Sequence, residues 1–264
     1  MMGAGVKPAV MPVPQIEMVQ LVDNTGHFGI ARWHAWAPGV VGAEAWRAWL
    51  PAGACPDPAA QPDVSYLPGL LRRRLDKGGR MALSTAWPCV EGLSSVQSVF
   101  CSRHGALHRT LELLTHLADR EALSPTTFSL SVHNSTAGLF SIARGDRAAA
   151  TAMAAGADSL ILALLEGANL VAEGAGPVLV CYSDDVAPPP YDSFGLEDAS
   201  HRPFAVSLLL TPPGESGAFR LSRSDAGGAE TPEAALMRFL VDETPDSVIG
   251  VDQPWRLERS GRVH

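Results

Sequence analysis

Residues 151–156 read Thr-Ala-Met-Ala-Ala-Gly, between a short alanine-rich run and a long apolar one that begins at Ala157. The pattern is that of a strand turning into a buried helix. A helix N-terminus carries partial positive charge and unpaired N–H groups, so a cysteine at such a junction is activated by a lowered pKa. Met153 stands there instead. A thioether has no proton to lose and is a poor nucleophile. The turn therefore has the form of an acyl-accepting site without its reactive group.

Other residues of the right types lie elsewhere. Cys101 and His104, in "CSRHG", are close enough for thiol–imidazole chemistry, but no carboxylate nearby in sequence would orient the histidine. His133 and Asn134, followed by Ser135, could supply a general base, yet such a base needs a nucleophile and an oxyanion hole that nothing local provides. Asp184-Asp185 could hold a metal or act as acid and base; a solvated strand end is the plainer reading. The triplet Arg72-Arg73-Arg74 is either a solvated face or a landing point for an acidic partner. Ser124 and Ser129 lie in no GxSxG elbow, and no phosphate-cradling glycine motif is present.

The elements that must position these residues alternate short apolar runs with helix-length segments, as in a layered α/β fold. Strands are expected at 27–37, 94–100, 147–153 and 176–184, and 202–210 with 217–224 are expected to form a hairpin. Helices are expected at 42–50, with Trp46 and Trp49 on one face, at 78–92, where Pro88 should kink or end the helix, and at 106–121. The last of these carries Leu107, Leu111, Leu114 and Leu117 at helical spacing. A further short helix should end near Gly145, and 154–174 reads as a helix apolar all round, which belongs inside a domain. Thr231 and Pro232 open a final helix over 231–242. Residues 51–66 read as a loop, and 123–134 as a turn that continues extended.

Composition narrows the function classes. The chain has 264 residues, 46% of them hydrophobic, enough for one large core or two small ones. A formal net charge of −8 argues against nucleic acid or an anionic membrane as main partner. Cys55, Cys89, Cys101 and Cys181 show no CxxC spacing, so neither a metal nor a disulfide framework is expected, and free thiols fit a cytoplasmic setting. The longest apolar run, 159–172, is too short and too interrupted to span a membrane. Residues 1–20 carry three of the chain's prolines in their first fourteen positions and no apolar signal core, and are expected to form a disordered leader.

Taken in order, "LRRRLDKGGRMALSTA", "LSPTTFSLSVHNSTAGLFSIARGD" and "ATAMAAGADSLILALLEGANLVAEGAGPVLVCYSDD" resemble the N-terminal half of a β-ketoacyl synthase. The likeness runs from about residue 27 to 225. It is strongest to half-length chain length factors of the aryl polyene type, through the marks at 102–105, 124–134, 137–146 and 164–168. The resemblance implies a thiolase-like α/β fold: a layered mixed sheet with a buried central helix, in one domain over 21–264. It also implies that Met153 replaces the acyl-accepting cysteine. The two histidines that drive malonyl decarboxylation in that family belong to its second half, and after residue 184 this sequence has only His201 and His264.

The expectation that follows is a subunit with no catalytic residue and no cofactor, paired with a full-length β-ketoacyl-ACP synthase and visited by acyl carrier protein. The resemblance places the strand at 147–153, with Thr151 and Met153, in the subunit interface. Phe128, His133, Asn134 and Phe140 would line or close the partner's acyl tunnel, and Arg72, Arg73 and Arg74 would dock the carrier protein. The competing expectation is a thiol-dependent acyl hydrolase or transferase using Cys101 or Cys181.

Overall fold

The run Val178–Tyr182 has no polar side chain apart from the tyrosine, and each of its residues is at most 1% exposed. Such a run can only be a strand covered on both faces. It lies in β4 (Val178–Asp184), at the centre of an eight-stranded sheet. The computed structural model describes residues 26–52, 56–189, 191, 202–214, 217–228 and 230–260. The expected leader, Cys55, His201 and His264 lie outside them.

The other strands are β1 (Gly26–Trp36), β2 (Gln97–Cys101), β3 (Ala150–Met153), β5 (Phe204–Thr211), β6 (Ala218–Arg223), β7 (Asp246–Ile249) and β8 (Trp255–Ser260). Their order is β3-β2-β4-β5-β1-β6-β8-β7. The strands β3, β2 and β4 are parallel, and every other pairing is antiparallel.

The period of two along each central strand sends alternate side chains to two separate cores. Val178, Val180 and Tyr182 of β4, with Val206, Leu208 and Leu210 of β5, join the core beneath α7 (Ser159–Ala172) and α8 (Pro232–Val241). Leu179, Cys181 and Leu209 join the other, beneath α3 (Lys77–Cys89) and α6 (Ser135–Arg144). The sheet is thus sandwiched between helical layers. On the first side α1 (Gly42–Ala52) packs on α8, and its Trp46 and Trp49 meet Phe204 with ring centroids 6.1 and 5.7 Å away.

The helix α7 is the buried element that the apolar run foretold: Leu160, Ile161, Ala163, Leu164 and Ala168 are at most 1% exposed. Gly167 lets it approach the sheet, since a Cβ there would lie 2.3 Å from Val180 Cγ2. Pro88 sits in the last turn of α3, one residue before that helix ends.

Three sequence expectations change. Residues 123–134 are not extended: Ser124 accepts a hydrogen bond from the Thr127 N–H and Pro125 opens α5 (Pro125–Leu130). The Ser-Pro start outweighs the β preference of Thr126 and Thr127. The 202–210 and 217–224 strands form no hairpin, because β1 lies between β5 and β6 and pairs with both. Gly26–Phe28 of β1 pair with β6 and Gly29–Trp36 with β5, and a shift of register between Ile30 and Arg32 lies within the second pairing. Finally, a hairpin of β7 and β8 follows α8 where no strand was expected.

Candidate functional site

Met153 ends β3 with its Cα in register with Cys101 of β2, and its carbonyl accepts the Ser102 N–H at 3.4 Å. The side chain is half-buried and packs against the core under α7. A 3₁₀ turn at Gly156–Asp158 then leads into α7. The polar groups of this turn are already engaged. Ser159 Oγ takes the Ala155 N–H at 2.8 Å, and the buried Asp158 carboxylate accepts the N–H groups of Val251, Asp252 and Gln253. Met153 thus stands where β3 meets the turn that leads into α7, and its thioether sulfur is unreactive.

The cysteines offer no replacement. Burial pushes Cys101 up to about 12, against the lowering effect of Ser159, and its thiol donates to the Ser159 carbonyl at 3.2 Å. Burial likewise raises Cys89 and Cys181 to about 12. At neutral pH only about one such thiol in 10⁵ is a thiolate. Burial and the raised pKa both count against the thiol-dependent enzyme expected at Cys101 or Cys181.

A cavity of about 540 Å³ opens at the carboxyl ends of β2 and β4. Its walls come from those strand ends, from the start of α3, from the start of α4 (Leu107–Ala118) and from the turn between α5 and α6. Within it Ser102 Oγ lies 3.1 Å from His133 Nε2 and accepts the Gly105 N–H at 2.8 Å. Gly105, at φ 65°, lies against the His133 ring. Burial holds the His133 pKa below the ordinary histidine value. Asp184 and Asp185 part ways at the rim: Asp184 accepts the Arg103 N–H and pairs with its guanidinium, while Asp185 pairs with Lys77 at 2.7 Å. Among the described residues no three His, Cys, Asp or Glu side chains gather as a metal site would require.

Outside the cavity, only the outer part of the α4 leucine stripe is uncovered, since Leu107 and Leu111 are half-buried. No residue of α4 or α5 is buried, and Leu117, Phe128 and Ile142 are 61%, 62% and 63% exposed. Val132 and Leu114 are exposed as well. Next in the chain comes β3, the edge strand of the sheet, with Thr151 exposed. The arginine triplet closes the short helix α2 (Gly69–Arg72). Arg72 is half-buried, and Arg73 and Arg74 are exposed. Arg80 donates to the Arg72 carbonyl and Arg109 to that of Arg74, so two further arginines that sequence spacing did not reveal join the basic patch.

Residues 46–242 match the β-ketoacyl synthase N-terminal domain. The chain belongs to that family. Among solved structures it is similar to a chain in the complex of the ketosynthase ApeO with its chain length factor ApeC from Xenorhabdus doucetiae. There the identity is 28% and the TM-score 0.74, over 88% of this chain and 99% of that one. It is also similar to the ishigamide ketosynthase/chain length factor, at 16% identity and TM-score 0.58, over 81% and 72% of the two chains. A third likeness is to a chain of AntDE:AntF, a type II polyketide synthase acyl-carrier protein in complex with its ketosynthase, at 10% identity and TM-score 0.59, over 89% and 99%. No curated protein matches the chain. The thiolase-like ketosynthase fold expected from the sequence is the fold observed.

Within that fold the expected surface residues divide. Phe128, Asn134 and Thr151 are exposed. Phe140 is not: at 3% exposure it packs against Phe100 and Trp87 inside the core beneath α3, and this corrects its expected place at an interface. The His133 ring is directed to Ser102 of its own chain.

Proposed function

We propose that this member of the family is a non-catalytic chain length factor. It pairs with a full-length β-ketoacyl-ACP synthase and shapes the acyl tunnel of that partner, in polyene or fatty-acid-like type II polyketide assembly with acyl carrier protein. The observation that carries the reading is the set of exposed apolar side chains on α4, α5 and α6, Leu114, Leu117, Phe128 and Ile142, followed in the chain by β3, the edge strand among the described residues. Exposed apolar surface and an unpaired strand edge both call for a covering chain. Met153 supports the same reading, because its sulfur cannot accept an acyl group from a thioester. The complex of ApeO with ApeC, which the chain resembles over almost the whole of one partner, supplies the class of partner.

In this arrangement β3 with Thr151 and Met153 lies at the subunit contact, and Phe128 and Asn134 face the tunnel of the synthase. Arg73 and Arg74, with Arg72 behind them, receive the acidic carrier protein. The same reading places the pair in the cytoplasm. Co-expression with the ketosynthase, followed by size-exclusion chromatography with mass detection, tests it. A stable one-to-one complex is expected, and a monomer indifferent to the ketosynthase refutes the pairing.

A further inference from the structure

The chain length factor reading leaves the 540 Å³ cavity without a role, and it leaves Ser102 out altogether. Ser102 and His133 are thirty-one residues apart in the chain and come together only through the fold. The direction of the hydrogen bonds matters. The Gly105 N–H can only donate, so Ser102 Oγ accepts there and its own proton is available to His133 Nε2 at 3.1 Å. That pairing suits the neutral imidazole tautomer with Nε2 bare. Gly105 serves twice, since its amide fixes the hydroxyl and a side chain there would meet the ring that receives the proton, a Cβ lying 3.5 Å from His133 Cγ. Phe100, Leu107, Val132, Val186 and Ala187 give the wall apolar surface, and Asp76, Lys77, His104, His108, Asp184 and Asp185 line it as well.

We infer that Ser102 and His133 form a nucleophile–base pair that takes an activated acyl group, ester or thioester, in this cavity. A serine hydroxyl is a weak nucleophile unless an adjacent base removes its proton as it attacks. In the first step Ser102 Oγ bonds to the acyl carbonyl carbon and its proton passes to His133 Nε2. The bond to the alcohol or thiol then breaks, and the leaving group takes the proton from His133. In the second step water attacks the acyl-serine ester with His133 again accepting a proton, which releases the carboxylic acid and restores the hydroxyl. The inference does not rest on the pairing with a ketosynthase, because both groups and the cavity belong to this chain, and it limits the word non-catalytic to the condensation, which stays with the partner.

The test is labelling of the full chain, as purified with or without its ketosynthase, by an alkyl fluorophosphonate, read by the mass of this chain and of its Ser102 peptide. One phosphonyl adduct on Ser102 is expected. His133→Gln still accepts the hydroxyl's hydrogen bond but takes up no proton, and should slow labelling about 100-fold or more. The labelling rate should rise with pH as His133 loses its proton, and level off above a midpoint lower than that of an ordinary histidine. Absence of the adduct from the folded chain overturns the proposal, and so does labelling that His133→Gln leaves unchanged. Because Ser102→Ala also removes the anchor of the Gly105 amide, Ser102→Cys gives a second reading. Its thiol should be alkylated by iodoacetamide at least about 10-fold faster with His133 in place than when His133→Gln is added. Equal rates in the two variants count against the pair.

Discussion

Gly167→Ala isolates the contact that holds α7 against the sheet and with it the Met153 turn. In an exposed helix the change would stabilise by about 1 kcal/mol, because glycine is the poorer helix former. Here the new Cβ would lie 2.3 Å from Val180 Cγ2 and 3.0 Å from Leu210 Cδ1. Both neighbours are fully buried, on strands covered on each face, so neither has free volume to move into. Overpacking costs about 1–3 kcal/mol, and a contact as short as 2.3 Å belongs in the upper part of that range, about 2–3 kcal/mol, so after the helix gain the net expectation is a loss of about 1–2 kcal/mol. Cys181 provides the gauge, since it is completely buried on β4 beside Val180 and its raised pKa keeps it inert until the sheet opens. Alkylation of Cys181, followed peptide by peptide on the chain alone or in a complex, should accelerate roughly 5–30-fold in the variant. Val180→Ala removes the methyl that clashes, so the doubly substituted chain should lose less than the sum of the two single losses, by about 1 kcal/mol or more. Strict additivity, or slower alkylation in Gly167→Ala, would falsify the close-approach argument.

Further outcomes follow from the same geometry. Phe128→Asp changes a residue that is 62% exposed, so the fold should survive, but a side chain worth about 1.5–3 kcal/mol when covered is lost from the proposed contact. Titration against the ketosynthase should show at least about tenfold weaker binding, and unchanged affinity would place Phe128 outside the interface. Arg73→Glu with Arg74→Glu should weaken binding of acyl carrier protein, with a difference from the parent that shrinks as salt is raised; a difference that ignores salt would rule out an electrostatic landing site. Asp146 is held below the ordinary carboxylate range: burial acts to raise it, but the Ala148 N–H, the Ser95 hydroxyl, the Val96 N–H and the Arg144 charge together outweigh that. Its contribution is therefore complete above the ordinary carboxylate value and is lost as pH falls through the lowered folded value. Asp146→Asn, which turns an amide donor toward those donors, should destabilise by about 1–3 kcal/mol at pH 7, and in acid unfolding its curve should converge on that of the parent at low pH.

Legibility of the sequence depended on how much of the outcome is settled locally. The helix α7 and the strand β4 were readable because each is apolar on every side, a pattern with no exposed solution. Thr231 and Pro232 marked the start of α8 by capping chemistry alone, and Thr231 Oγ1 does accept the Ala234 N–H. Ser124 and Pro125 gave the same signal for α5, obscured by two threonines that favour strand. The false hairpin of β5 and β6 was a different kind of error. Which strand inserts between two others is decided by β1, almost two hundred residues away in the chain. The hairpin of β7 and β8 was hidden by its composition, because Arg256, Glu258 and Asp246 are charged and pair across the strands at a partly solvated sheet end.

The candidate site divides along the same line. Met153 was legible because a short motif encodes its turn. Ser102 was invisible because its meaning lies in His133 and Gly105, and only the convergence of the β2 end with the turn between α5 and α6 brings the three together. The two consecutive residues that end and follow β2 thereby carry opposite chemistry. Cys101 is tied to the Ser159 carbonyl and kept protonated by burial, whereas Ser102 meets a base whose own burial keeps it neutral and able to accept a proton. Burial is the common cause, and its sign differs because the neutral form is the inert one for a thiol and the working one for an imidazole. A variant that admits water to the cavity should therefore move both groups at once, lowering the thiol and raising the histidine. Leu107→Ser, at the cavity wall, is such a variant. It should raise the midpoint of the fluorophosphonate labelling profile and speed alkylation of Cys101 together, and a shift in one without the other would mean that the two groups do not share the wall that Leu107 provides.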